Sequence, residues 1–284
     1  MLEREELIEQ AYLYKMLSER IPQGIPLQEV LEQVCEESLA TTKLPLAIDY
    51  LLGELRYHGV MAPAMSHLDH YFAPFQTYLI EEAEEEGGRF DIRTAVEVLK
   101  CEVEYRASEP SPAGLFLFQF ESLCRNRLSY DRGLKAISRD SFFDPSWQEW
   151  ILIVRRQIGI VDFADMVYVR SQHYYHRRFG QDSAEKPEQP ILFGTKEGKI
   201  AWANRKKDPL FLFAALQRQL GYPEVPRPKA FDDTPQVTAR LARRMEQLEG
   251  RIQLLEEEQR GGIDLSNFFH GELPCPDSSD PPTG

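Results

Sequence analysis

Apolar residues recur at helical spacing through most of the first 180 positions. LEREELIEQAYLYKMLSER sets Leu7, Ile8, Ala11, Tyr14 and Leu17 three or four apart, and IPQG follows as a stop. PLQEVLEQVCEESLA, LPLAIDYLLGELRYHG and APFQTYLIEEAEEEGG repeat the pattern, the last two with proline near the start and glycine past the end. Asp91 stands where a short acceptor side chain satisfies the free N–H groups opening DIRTAVEVLKCEVEYRA. Ser111-Pro112 opens SPAGLFLFQFESLCRNRL, the most apolar of these segments and the one expected at the core. Asp144-Pro145 opens PSWQEWILIVRRQIG, and VDFADMVYVRSQHYYHRR reads as one further helix.

The pattern then changes. GQDSAEKPEQP is polar, and ILFGTKEGKIAWAN reads as two short strands around a turn holding Gly194 and Gly198. Asp208-Pro209 starts another helix, which ends at Gly221, and YPEVPRPKAFDD is proline-rich and extended. The expected fold is all-α: a multi-helical body with a small β-hairpin-plus-helix appendage and a C-terminal coiled-coil helix. Its boundaries are a multi-helical domain over 1–179, a linker over 180–190, the appendage over 191–222, a spacer over 223–234, the coiled coil over 235–260 and a flexible tail over 261–284.

MEQLEGRIQLLEEEQ carries the expectation of self-association. Reading from Thr238, a and d positions fall on Leu241, Met245, Leu248, Ile252 and Leu255, with spacings alternating three and four. Arg244 and Arg251 occupy g positions, and Glu249 and Glu256 occupy e positions. In a parallel pair each g residue meets the e residue five later on the other chain, so both contacts attract. An antiparallel pair centred on the helix opposes Arg251 to its own copy. The pattern predicts a parallel homodimer, with Leu and Ile supplying affinity and the charges choosing orientation, since exposed ion pairs contribute only about 0.2–1 kcal/mol each. Gly250 in the interior and the short length weaken the helix.

Composition is that of a globular chain: 42% hydrophobic and 28% charged in 284 residues. The start, MLEREELIEQ, is acidic where a secretory signal is basic and then apolar, and the longest charge-free apolar run falls short of the roughly 20 residues a membrane helix needs. Cys35, Cys101, Cys124 and Cys275 are scattered, with neither zinc-type nor redox-type spacing, so a reducing cytoplasm is the expected setting. The net charge of −13 is uneven. Residues 1–110 hold 9 Lys and Arg against 22 Asp and Glu, residues 111–230 hold 19 against 13, and the remainder 5 against 11. Bulk nucleic-acid binding is disfavoured by the acidic total.

Most candidate chemistry fails on spacing. His67 and His70 share a helical face, but Asp69 points elsewhere and two ligands make no site. Asp162 with His173, and Asp165 with His176, lie eleven apart, roughly 16 Å along one helix, too far for one ion. GTKEGK has three residues between its glycines where a phosphate loop needs four, Ile200 stands in place of Ser or Thr, and a strand is expected to follow. No GxSxG occurs and no Cys lies near a His, so no catalytic residue and no cofactor is assigned.

Two segments suggest recognition instead. Arg177, Arg178, Lys199, Arg205, Lys206 and Lys207 surround Trp202, the mixture of cations and aromatics that holds nucleic acid or another polyanion. Leu265, Phe268 and Phe269 in the polar tail resemble a groove-docking peptide. The sequence thus leads to a non-catalytic, self-associating helical scaffold or adaptor that binds a protein partner. A polyanion-binding regulator using residues 170–207 is the rival.

Overall fold

Several helices begin or end where the local sequence dictates. In a computed structural model of the chain, which describes residues 2–85, 90–180 and 189–228, the side chains of Asp91, Ser111, Asp144 and Asp208 each accept a hydrogen bond from a backbone N–H of the turn they open. Gly24, Gly59 and Gly221 close their helices with φ of 79°, 74° and 71°, the left-handed conformation that ends a helix at little cost only when glycine supplies it.

The described residues form thirteen α-helices: α1 (Arg4–Arg20), α2 (Leu27–Glu37), α3 (Leu44–His58), α4 (Ala62–His67), α5 (Pro74–Glu84), α6 (Ile92–Ala107), α7 (Pro112–Arg125), α8 (Tyr130–Ser138), α9 (Pro145–Gln157), α10 (Phe163–Val169), α11 (Gln172–Phe179), α12 (Thr195–Asn204) and α13 (Pro209–Leu220). The chain divides into two units, Met1–Pro228 and Lys229–Gly284, and all described residues belong to the first. There α1 lies along α6, α2 along α3 and α8 along α9, while α12 joins α10 to α13.

α7 is the core helix. Every residue from Ala113 to Leu123 is buried, as befits a helix that is apolar nearly all round. Phe116 meets Trp147, Trp150 and Phe163, and Phe120 meets Phe163 and Phe213 with ring centroids 4.7 and 5.8 Å apart. α1 is phased differently from its apolar pattern: it buries Glu6, Gln10, Leu13, Tyr14 and Leu17 but leaves Ile8 exposed.

The all-α class holds, but the appendage is not a hairpin. Among the described residues there is no strand, only isolated bridges such as Ser171 with Phe193. Extended backbone runs only to Gly194, and the ring of Phe193 enters the core against Trp147 and Trp150. Helix α12 follows. Glu197, Gly198 and Ala201 face inward at the i, i+1, i+4 spacing of a helix, and a Cβ on Gly198 would stand 2.2 Å from Ser171 Oγ. That glycine serves a close helix approach, not a turn.

VDFADMVYVRSQHYYHRR is likewise two helices. Ser171 breaks it, its hydroxyl accepting from Tyr174 N at 3.2 Å to start α11. After α13 the strand-like segment 222–228 stays on the body: Tyr222 and Val225 are buried, and Asn126 Nδ2 donates to the Pro226 carbonyl at 3.3 Å. The heptad residues Leu241, Arg244, Met245, Leu248, Glu249, Arg251, Ile252, Leu255 and Glu256 lie outside the described residues, as do Leu265, Phe268 and Phe269 of the tail.

Candidate functional site

A groove of about 1140 Å³ is walled by α1, α5, α6 and α8 and the turns beside them. Its head is a buried polar network. Glu102 on α6 is fully buried, and its Oε1 accepts from Arg106 Nε at 2.6 Å and Gln119 Nε2 at 2.9 Å. Glu102 Oε2 accepts from Gln76 Nε2 at 3.0 Å. Gln76 Nε2 also donates to Gln10 Oε1 at 3.1 Å, and Gln10 Nε2 donates to the Tyr71 carbonyl at 3.3 Å. Arg106 reaches across to Asp140, which also accepts from Phe142 N at 2.9 Å. Helices α5 and α7 and the turn after α8 thus meet on one carboxylate–guanidinium pair of α6, and α1 joins them through Gln76.

The electrostatics follow from this enclosure. Burial alone lowers the pKa of Arg106, but Glu102 and Asp140 more than reverse it and hold the guanidinium charged. A buried cation is tolerable only with such full pairing. Gln10, Arg106 and Asp140 line the groove, so its inner end is polar, with two carboxylates sharing one guanidinium.

The rim differs. Arg132 pairs with Glu81 and Glu82, both at 3.0 Å. Among the described residues Arg4, Lys135 and Arg139 have no ion-pair partner, and neither have Asp69 and Glu109. Glu109 also holds a φ of 56°, a left-handed conformation that non-glycine residues rarely adopt. The one sequence signal for this site is Gln119, an amide in the middle of LFLFQF, where an apolar side chain is expected.

Of the basic and aromatic residues singled out in the sequence, two cations meet at Trp202. The guanidiniums of Arg177 and Arg205 lie 4.3 and 3.2 Å from the centre of the Trp202 ring, and Tyr168 packs on the same indole at 4.7 Å. Arg205 also pairs with Asp165 at 3.5 Å. Arg178 turns away to Tyr174, donating to its hydroxyl at 2.6 Å. Lys206 gives its backbone N–H to Asp162 Oδ2 at 2.6 Å, with φ at 58°, and Lys199, Lys206 and Lys207 are exposed. Burial lowers the His173 pKa, and the positive charges of Lys199, Arg177 and His176 push it the same way.

The other sequence candidates separate. His67 Nδ1 lies 3.4 Å from the Tyr50 hydroxyl, and His58 lies beside Glu54. Asp162 caps α10, accepting from Ala164 N at 3.0 Å. Among the described residues no three His, Cys, Asp or Glu side chains are grouped to hold a metal ion. GTKEGK is itself the start of α12, where strands around a turn were expected, and Glu197 closes over that start: a Cβ on Gly194 would lie 2.5 Å from Glu197 Oε2, so the helix's own carboxylate stands where a phosphate would bind. None of the described helices is long and apolar enough to cross a membrane. The chain matches no protein-family model, no curated protein and no solved structure.

Proposed function

We propose that this chain is a non-catalytic, self-associating helical adaptor whose body receives an extended segment of a protein partner. The groove carries the reading. Its volume of about 1140 Å³ lies beyond the roughly 300–1,000 Å³ of pockets that enclose a small ligand. Its inner charges are fixed by their mutual bonds, two carboxylates on one guanidinium, while among the described residues its rim presents charges of both signs outside any ion pair, Arg4, Lys135 and Arg139 against Asp69 and Glu109. A peptide of alternating charge suits such a rim; a simple anion does not. The free thiols Cys35, Cys101 and Cys124 fit a reducing, cytoplasmic setting.

Self-association rests on the heptads. Light scattering over a dilution series should give a dimer for the full chain and a monomer for a chain ending at Thr234 or carrying Leu248→Asp with Ile252→Asp. A dimer that survives both changes removes the coiled coil from the reading. For the groove, the comparison is between the wild type and Ala136→Trp with Arg139→Glu, which fill it and reverse its rim. Partners captured by the wild type and lost by the filled variant, at equal helicity, support the adaptor; equal capture by both overturns it. The tail residues Leu265, Phe268 and Phe269 offer a second docking element, tested in the same capture by a chain ending at Gly262.

The second reading, a polyanion-binding surface on α11 and α12, is favoured by the cations crowding His173 and Trp202. It predicts binding to single-stranded nucleic acid that weakens steeply with salt and is lost on Arg205→Ala, Lys206→Ala and Lys207→Ala together. The engagement of Arg205 with Asp165 and Trp202 weighs against it, because that guanidinium already serves the fold.

A further inference from the structure

α3 has two apolar faces. One buries Leu44, Ala47, Ile48, Leu51, Leu52 and Leu55 in the body. On the opposite side Leu46, Tyr50 and Tyr57 are 73%, 40% and 88% exposed, with Gly53 between them. At about 100° per residue these four positions share an arc of about 60°. Their spacing of four, three and four is that of a coiled-coil seam.

Gly53 sharpens the point. A Cβ built there meets nothing within 4 Å, so no neighbour in the body calls for glycine. Yet glycine in a helix interior weakens the local helix about fivefold relative to alanine. Close approach from outside the body accounts for it.

We infer that this outer face is a self-association surface, on which α3 of one copy lies antiparallel against α3 of a second copy. In that register Tyr50 sits over the partner's Gly53, and Leu46 over the partner's Tyr57, so each tyrosine meets a gap or an aliphatic neighbour. The flanking charges select the direction. With Tyr50 and Tyr57 as a positions, Asp49 and Arg56 are g positions and Glu54 is an e position. Antiparallel pairing sets Asp49 beside the partner's Arg56, twice by symmetry. Parallel pairing sets Asp49 against the partner's Glu54, two acids. Arg56 bonds Glu32 at 2.6 Å within the body, but both side chains are more than half exposed, so that pair is readily shared or exchanged.

A helix of 15 residues spans about 22 Å, and one such contact buries less than the roughly 1,200–2,000 Å² of a standard interface. The association is therefore weak and best read by trapping. This inference shares with the proposed function only that the chain self-associates, and it uses a different surface from the heptads. The test uses the full chain carrying Cys35→Ser, Cys101→Ala, Cys124→Ala and Cys275→Ser, with and without Leu248→Asp and Ile252→Asp, and a short thiol-to-thiol crosslinker. Leu46→Cys with Tyr57→Cys should give covalent dimer, and each single cysteine should give at least tenfold less, because an antiparallel pair holds identical residues far apart. Asp49→Arg should reduce the product severalfold and Arg56→Asp added to it should restore the yield. Gly53→Ala should stabilise the chain yet lower the crosslinked fraction. Equal trapping by the single and double variants, or no response to Asp49→Arg, overturns the inference. If trapping fails while Leu248→Asp with Ile252→Asp still converts dimer to monomer, the α3 surface falls and the heptad seam stands.

Discussion

Tyr222 reaches back across 101 residues to Glu121: its hydroxyl donates to Oε2 at 2.8 Å, with the Phe213 carbonyl 3.1 Å away. Glu121 itself is buried and pairs with Arg125. Burial, reinforced by Glu121, raises the Tyr222 pKa and keeps the phenol a donor. Tyr222→Phe should therefore cost about 1.5–3 kcal/mol, the range for a hydrogen bond to a charged group. Urea denaturation with an unchanged slope is the check; a loss under 0.5 kcal/mol would mean that the 222–228 segment is not fastened there.

Arg106 holds two buried carboxylates in register. Arg106→Met leaves Glu102 and Asp140 without their cation and should destabilise the body by about 3–5 kcal/mol. Replacing all three by apolar residues of similar volume should recover much of that loss, because the desolvation of three charges disappears with them. Thermal unfolding of both variants decides the matter, and a triple variant as weak as the single one would assign the network a packing role.

Gly198 and Gly53 make opposite predictions for one substitution. Gly198→Ala would set a methyl 2.6 Å from Ser171 Cβ and 2.8 Å from His173 Cβ. Ser171 cannot withdraw, since its hydroxyl donates to the Tyr168 carbonyl at 2.6 Å and caps α11. An overpacking cost of about 1–3 kcal/mol outweighs the gain in helix propensity of roughly 1 kcal/mol. Calorimetry should therefore show Gly198→Ala lowering the melting temperature.

His173 supplies the pH dependence. Its folded pKa lies below the ordinary 6.5, so between the two values the unfolded chain binds the extra proton. Stability should rise with pH through that window and be lost as pH falls below about 6.5, and His173→Gln should abolish this component. An NMR titration gives a second reading: a polyanion bound on α11 and α12 would raise the His173 pKa, and an unmoved titration at saturating polyanion would exclude contact there.

Four helix starts were legible because caps act locally, whereas α4 and α8 went unread. Asp91, Ser111-Pro112, Asp144-Pro145 and Asp208-Pro209 each satisfy their own first turn, so no distant residue decides them. Residues 191–204 were not, because two glycines near a short apolar run look alike in a turn and in a close helix crossing. Only the position of Ser171, some two dozen residues earlier, separates the two. Ser171 also splits 162–178, since it bonds backward to Tyr168 and forward to Tyr174. The groove was invisible for a related reason. Gln10, Gln76, Glu102 and Asp140 look like surface residues one at a time, and only packing of their helices turns them inward.

The aromatic surround of α7 has a consequence for the order of synthesis. Phe116 and Phe120 leave the ribosome early, but Phe213 and Tyr222, which close that side, come later, Tyr222 following Glu121 by 101 residues. At about 5–20 residues per second, the most apolar helix waits about 5–20 seconds for its cover. During that interval the nascent chain displays its future core, the state most open to aggregation.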